Sequence, residues 1–384
     1  MLETIIIILC VFVIYHHAGF PVLLKLLMKK NQITGFMSKS DQSNWPEITL
    51  IIPAYNEEKT IEEKIINTAS LDYPSNRLKV VIALDGCSDQ TANIARNTLL
   101  HPEVRQLDIT INDHRENRGK VAVLNEEIFG VESDIVALSD CSSLLSLDSL
   151  KRVAGHFSDL DVGVVGGTYQ FSGNEGSSEQ VYWKYQTAVK TGEANFGSPM
   201  GLHGAFYAFR KSLAERLPAN TINDDFILPM KIIAQGYRGV YDLKISCIET
   251  ESSDHAMNWK RRVRISAGNV QQAIRCLNLL FCKKIGVSFC FFSGKFLRAW
   301  MPLCLLTIFA LTAIAALDSS FFQYFFLLQF MGLVFLFLPV SWSGKIEKII
   351  SALRYILIGH MAGLVGTFRY LAGLENGAWK RPNQ

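Results

Sequence analysis

The strongest restriction on this chain is where its apolar residues run long enough to cross a bilayer. Residues 5–28, 296–317, 321–341 and 349–372 are dominated by Ile, Leu, Val, Phe and Ala. About 20 such residues span the hydrocarbon core of a membrane, and nearly all the carboxylates lie elsewhere, between residues 41 and 260. The chain therefore reads as a polar domain between membrane-like ends. Its formal net charge of +3 averages over these parts and leaves no nucleic-acid footprint. The first segment has no basic residue before it, is long for a signal core and lacks a clear small-residue cleavage site, so it reads as a retained helix. Lys25, Lys29 and Lys30 at its far end put that end in the cytoplasm. His16 and His17 within it read as tolerated polar residues. Arg354, His360 and Arg369 make the last segment a tilted or interfacial helix as readily as a spanning one. The eight scattered cysteines contain no Cys-x-x-Cys pair and read as reduced thiols.

The polar middle repeats one pattern: an apolar run that stops at a polar or acidic residue and leads into a helix. In VVIALDGCSDQT, residues 80–91, a β-branched run ends at Asp85, and Ser88 and Asp89 are good helix caps. A carboxylate where a parallel strand stops faces the crevice that binds ligands in open α/β sheets; taken alone, Asp85 and Asp89 serve equally to close a turn. ITLIIPAYNEE, residues 48–58, is a strand stopping at Pro53, followed by Tyr55, Asn56 and Glu57 and a helix to about Ser70. Residues 31–47 before it read as a linker, and residues 103–111 as a weaker third strand. In ENRGKVAVLNEEI, Lys120 opens a helix whose N-terminus suits a phosphate, although a solvated surface lysine would look the same. DIVALSDCSS again runs apolar into an acid, Asp140, an oxygen ligand suited to a hard cation beside a diphosphate.

Residues 162–168 are a Val/Gly-rich fifth strand, a composition that admits close approach of a bound molecule. A helical pattern with Tyr182, Trp183 and Tyr185 runs from Glu179 to Glu193. GLHGAFYAFRKS, residues 201–212, places His203 and Gly204 ahead of another strand, either for substrate approach or as a tight structural loop. In TINDDFILPMKI, Asp224 and Asp225 open a helix; capping needs one of them, and the other is available as a base. From Asn258 to Leu280, Arg261, Arg264, Gly268, Gln271 and Arg275 fall at spacings of three and four, which predicts an amphipathic helix with a basic stripe against lipid headgroups, one Arg of it turned to phosphates.

Together, IIPAYNEE, LDGCSDQT, NRGKVAVLNEEI, LSDCSS, HGAFYAFRKS, NDDFILPMKI and KRRVRISAGN resemble, in order and spacing over residues 48–275, the membrane-associated glycosyltransferases of family 2. The resemblance implies an α/β GT-A fold with a mostly parallel sheet, a nucleoside-diphosphate sugar donor with uridine as the expected base, a divalent Mg2+ or Mn2+ and inversion at the anomeric carbon. By position, Pro53, Tyr55, Glu57 and Asp85 would hold the nucleoside, Lys120 would lie by the phosphates or sugar, Asp140 would be the metal ligand and Asp225 the base. Arg264 would match the arginine of the family's Gln-x-x-Arg-Trp motif. Two departures stand out: Ser142 replaces the second acid of the metal motif, and Arg261 and Ile265 replace the glutamine and tryptophan, with Trp259 as a substitute platform.

The expected organisation is a transmembrane helix at 1–30, the linker, a transferase domain at 48–257, interfacial helices at 258–295 and a transmembrane region at 296–384. The expected protein is a multi-pass enzyme of the cell's inner membrane with a cytoplasmic catalytic domain, a glycan or lipid-linked acceptor and no nucleic-acid partner. The rival is a nucleotide-sugar-binding regulatory membrane protein with impaired catalysis. A transporter would carry its polar residues at mid-membrane depth, whereas most here lie in the polar middle.

Overall fold

The computed structural model describes residues 1–27, 45–171, 178–249, 255–338 and 344–375. Lys29 and Lys30 and most of the expected linker fall outside the described residues. The first apolar segment is one helical rod: α1 (Leu2–Ile14) passes through a π-helical turn at Tyr15–Gly19 into α2 (Phe20–Leu27). Then β1 (Ile48–Ala54), α3 (Ile61–Ala69), β2 (Leu78–Asp85), α4 (Thr91–Thr98), β3 (Asp108–His114), α5 (Lys120–Gly130) and β4 (Ile135–Leu138) build a parallel block in the order β3-β2-β1-β4.

The block is extended by β5 (Ser143–Leu145), α6 (Ser149–His156), β6 (Val162–Phe171), α7 (Ser178–Phe196), β7 (Tyr207–Arg210), α8 (Asp224–Ala234) and β8 (Arg238–Glu249). The eight-stranded sheet reads β3-β2-β1-β4-β7-β6-β8-β5, with β7 antiparallel to both its neighbours and β5 antiparallel to β8. Parallel strands covered on both faces must be apolar on both faces. In β1, Ile48, Leu50 and Ile52 pack into one core with α3 and α6, while Ile51 packs into the other with α5 and α8. That second core also takes Phe20 and Leu24 of α2.

Beyond the sheet lie α9 (His255–Arg275), α10 (Ile285–Cys290), α11 (Leu297–Ala315), α12 (Ser320–Phe337) and α13 (Gly344–Leu371). A second π-helical turn, Phe291–Phe296, joins α10 to α11. Among the described residues four helical stretches have the length and composition of membrane spans: Leu2–Leu27, Ile285–Ala315, Ser320–Phe337 and Ile349–Leu371. The second of these begins eleven residues before the expected start at 296, because the apolar residues of α10 continue the helix through the π turn. Arg354 donates from Nε to Leu336 O at 2.6 Å and from Nη2 to Leu338 O at 3.0 Å, closing the end of α12, so its charge works on exposed carbonyls.

Four expectations need correction. Pro53 does not end the first strand: it sits inside β1, in register with Ala83, where β4 has already stopped pairing at Ile51. A proline that cannot donate is tolerated where a strand has lost a neighbour. The third strand starts at Asp108, opposite Lys79, instead of at 103. The glycines of β6 are filled by the protein itself: a Cβ on Gly166 would meet Leu202 at 2.5 Å, and one on Gly167 would meet Ile245 at 2.5 Å. Finally, the stripe on α9 turns partly to the protein: Gly268 lies against Asn223, while Arg261 and Arg264 stay exposed. Gln271 is 1% exposed, and Gln271 and Arg275 bond to residues 220–222.

Gly86, the turn after β2, has φ of +64°, and a Cβ there would stand 2.4 Å from the amide nitrogen of Asn117. Gly86→Ala is expected to destabilise the protein by about 1–3 kcal/mol, read as a lowered thermal midpoint of the detergent-purified chain.

Candidate active site

Strand order in the parallel block diverges between β1 and β4, and the crevice at such a point lies outside the carboxyl ends of the strands. Asp85 ends β2 and is 0% exposed. Its Oδ1 accepts the Arg118 N–H and its Oδ2 the Gly119 N–H, both at 2.8 Å. These two bonds fix the turn that launches α5. Gly119, with φ of +90°, is the residue before Lys120.

Lys120 is the centre of the site. Its Nζ donates to Asp140 Oδ1 at 2.8 Å and lies 3.6 Å from Asp224 Oδ2. Asp140 follows β4, and Asp224 opens α8, so one ammonium ties the end of a strand to the start of a helix 84 residues later. Burial pulls the Lys120 pKa down, but Asp140 and Asp224 more than offset that and hold it above the ordinary lysine range. Desolvation pushes Asp140 up, and the Lys120 ammonium overcomes it, leaving Asp140 below the ordinary carboxylate range. Asp225 goes the other way. Desolvation and the neighbouring Asp224 charge push it up to about 6, with Lys120 opposing. Adjacent acids with divergent environments are suited to divergent duties.

The other expected residues surround this centre. Gly204 O accepts the Asp140 N–H at 3.2 Å, and a Cβ on Gly204 would come within 2.9 Å of Asp140 Oδ2, so the glycine lets this loop close on the acid. His203 sits among aromatic rings, 5.3 Å from Trp183 and 5.8 Å from Tyr169 between centroids, and burial holds its pKa well below the ordinary value. Glu57 lies after β1, where its N–H donates to Thr91 Oγ1 at 2.7 Å and its Oε2 accepts from Thr60 at 2.8 Å. Thr60 also reaches Cys141 Sγ at 3.6 Å, which brings the Glu57 loop beside the Asp140 loop. Asn56, with φ of +55°, accepts the Ser88 N–H at 2.8 Å and joins the loops after β1 and β2; Tyr55 between them is half-buried, and Pro53 is buried in β1. Arg264 is exposed, and its Nη1 reaches Ile222 O at 3.4 Å, just before the paired acids.

Several contributors escaped the sequence. Gln271 accepts the Ile222 N–H at 2.9 Å and donates to Asn220 O at 2.8 Å, and Gly268 lies against Asn223, the cap of α8. The spacing of the stripe was visible; what it faces was not. Tyr207, fully buried in β7, has a hydroxyl without a partner among the described residues, within electrostatic reach of Asp224, Asp225 and Asp140. Lys64 of α3, 0% exposed, donates to Ser139 Oγ at 2.6 Å and Ser143 O at 2.5 Å on either side of Asp140, and burial lowers it to about 8. Trp259 and Ile265 are each 37% exposed, while the aromatic rings near His203 come from α7 and β6.

Among the described residues no group of three or more His, Cys, Asp or Glu is disposed around a metal. Asp140 nevertheless has its side chain 38% exposed and, among the described residues, only Oδ1 engaged by a protein donor. The donor set thus fits a hard cation shared with a diphosphate, and does not fit one enclosed by protein alone.

Comparison with known proteins gives a consistent picture. The family described as "Glycosyltransferase like family 2" matches residues 46–268, more than half of the chain. A poly-beta-1,6-N-acetyl-D-glucosamine synthase of Staphylococcus aureus (strain COL) is 26% identical over 240 residues, 59% of this chain and 56% of that protein. The corresponding synthase of Staphylococcus epidermidis is 24% identical over 313 residues, 78% of this chain and 73% of that protein. The chain thus spans little more than half the length of the S. aureus synthases it matches. A solved structure of mannosyltransferase PcManGT from Pyrobaculum calidifontis, in complex with GDP-Man and Mn2+, superposes with a TM-score of 0.74 at 24% identity, covering 97% of this chain and 99% of that one. That likeness establishes the GT-A glycosyltransferase fold, with apolar helices at both ends.

The raised pKa of Asp225 has a stability consequence. A carboxyl held above its unfolded value of 3.8 contributes stability that is fully present below that value and is lost as pH rises through about 6. Asp225→Asn is therefore expected to be more stable than the parent at pH 7.5, by about 1–3 kcal/mol, with the difference closing as the pH falls toward 4 in a series of denaturation curves.

Proposed function

Because the chain belongs to the family 2 glycosyltransferases, we propose that it moves a sugar from a nucleoside-diphosphate donor, with uridine as the expected base, to a glycan or lipid-linked acceptor at the cytoplasmic face of the inner membrane. The observation that carries this is the junction of Lys120, Asp140, Asp224 and Asp225 at the carboxyl edge of the sheet. The GDP-Man bound by the Pyrobaculum calidifontis mannosyltransferase agrees with a nucleoside-diphosphate donor.

Asp225 acts as the general base. A carboxylate with pKa of about 6 is ionised at neutral pH yet basic enough to take a hydroxyl proton as the acceptor oxygen attacks. That oxygen bonds to the anomeric carbon on the face opposite the diphosphate, and the bond from that carbon to the diphosphate oxygen breaks, which inverts the configuration. Mg2+ or Mn2+ on Asp140 would supply charge to the departing diphosphate. Lys120, already beside Asp140, and Arg264, beside the acid loop, add cationic charge on the same side. Tyr55 and Glu57 would hold the nucleoside, with Pro53 inside β1 and the buried Asp85 acting behind them through the turn that carries Lys120, and His203 and Gly204 would lie at the sugar end.

Asp225→Asn is expected to lower kcat by about 10²–10⁴-fold while nucleotide-sugar binding changes less than about twofold; radiolabelled sugar transfer in purified membranes and a binding titration measure the two. In the parent enzyme, kcat/KM should fall about tenfold per pH unit below about 6 as Asp225 protonates. Near-parental turnover of the variant would remove the base assignment.

A further inference from the structure

A cavity of about 580 Å³ lies between α7, α9, α11, α13 and the two π-helical turns. Lys190, Arg261, Arg262, Lys295 and Arg298 line it, and Glu193 is the one carboxylate in that lining. Lys190 donates to Gly201 O at 2.5 Å and Arg298 to the Tyr182 hydroxyl at 2.8 Å, both neutral acceptors. Lys295 has no hydrogen-bond or ion-pair partner among the described residues; its ammonium lies 5.5 Å from the centre of the Phe226 ring. Lys295 and Arg298 belong to the span-length helix Ile285–Ala315, where unpaired cations are costly and mark a polar ligand or pathway. The charge left over in this cavity calls for an anion from outside the described protein.

The rest of the lining says what kind of anion. Pro302 of α11 and Ile356 and Gly363 of α13 form an apolar wall from two candidate spans, and a Cβ on Gly363 would stand 2.7 Å from Pro302, so the helices close on one another there. The two π turns meet beside the same space. Tyr15 shares a hydrogen bond of 2.7 Å with Ser293 Oγ, and His16 Nδ1 lies 2.8 Å from Ser293 O. Such insertions are found mostly at functional positions, because the extra residue re-aims side chains. Lys295, within one of these turns, is in turn within electrostatic reach of Asp225, as is Lys190.

We propose that this cavity is the acceptor site and takes an amphipathic phosphate ester, its phosphate or diphosphate held by Lys190, Lys295 and Arg298 and its apolar chain lying along α11 and α13. The proposal rests on the transferase reading and names the class of acceptor. Several converging cations suit a multiply charged phosphate better than a single carboxylate. A neutral glycan alone would leave them uncompensated, whereas a sugar attached to the phosphate finds the rings of Tyr182 and Trp183 beside the same cations.

The full chain in a nonionic detergent would be titrated with farnesyl monophosphate, farnesol and inorganic pyrophosphate, following intrinsic tryptophan fluorescence and the thermal midpoint, with UDP-GlcNAc and GDP-mannose as donor probes. Farnesyl monophosphate is expected to saturate, with farnesol and pyrophosphate each at least about tenfold weaker. Lys295→Gln should weaken farnesyl monophosphate about tenfold and Lys295→Arg less than about threefold, while stabilisation by the donor probe stays at the parental level in both and reports an intact fold. Arg298→Gln should act in the same direction as Lys295→Gln. Equal binding of farnesol would make the cavity merely apolar, and equal binding of pyrophosphate would make it a phosphate site without a lipid; either overturns the proposal. So would undiminished farnesyl monophosphate binding by both glutamine variants. Failure of farnesyl monophosphate to bind a parent that does bind a donor probe sinks the acceptor inference alone, whereas failure of both donor probes sinks the transferase reading itself.

Discussion

One ammonium organises the catalytic face of this protein. Lys120 stands between Asp140 and Asp224, acids delivered by the end of β4 and the start of α8. The cation reaches both acids and so joins the two elements. Asp85 in turn holds the backbone that carries Lys120, through two amides of the preceding turn. Removing the Lys120 charge would therefore raise the proton affinity of Asp140 and Asp225 as well as release the joined acids. Asp225, next to Asp224 but without its own cation at bonding distance among the described residues, is left with the raised affinity for a proton that a base requires.

The acids are also supported by α9. α9 bonds through Arg264, Gln271 and Arg275 to residues 220–222, immediately before the paired acids. The same helix packs along α13, where Gly366 lets the backbones meet: a Cβ there would stand 2.5 Å from Val263 O. α2 also packs into the sheet core, through Phe20 and Leu24. Apolar helices and catalytic domain thus share one packed core, and Lys190 and Lys295 lie where the two meet, within reach of Asp225. Such a joint would let an acceptor arrive from the bilayer without crossing water.

Legibility from sequence followed the range of the forces involved. The runs 48–54 and 78–85 were readable as strands because burial on both faces demands an uninterrupted apolar composition, and α8 was readable because two acids before an apolar run are a local signal. Pro53 misled because a local rule, that proline stops a strand, ignores which neighbours the strand keeps. The α9 stripe misled for a related reason: periodicity tells which residues share a face, and only packing tells what that face meets. Tyr207 and Lys64 carried no local signal, since each looks like an ordinary member of a strand or helix until its burial beside the acids is known.

The sequence by itself determined the α/β domain, its flanking apolar helices, the order of the motifs and the identity of the acids, because secondary structure, membrane partition and helix capping depend on neighbours a few residues away. Only the tertiary structure decided that Lys120 joins Asp140 to Asp224, that Asp85 spends its carboxylate on a turn, and that α7, α9 and α13 enclose a cationic cavity. Those pairings connect residues far apart along the chain, and electrostatics acts through distance in space, which no spacing in the sequence records.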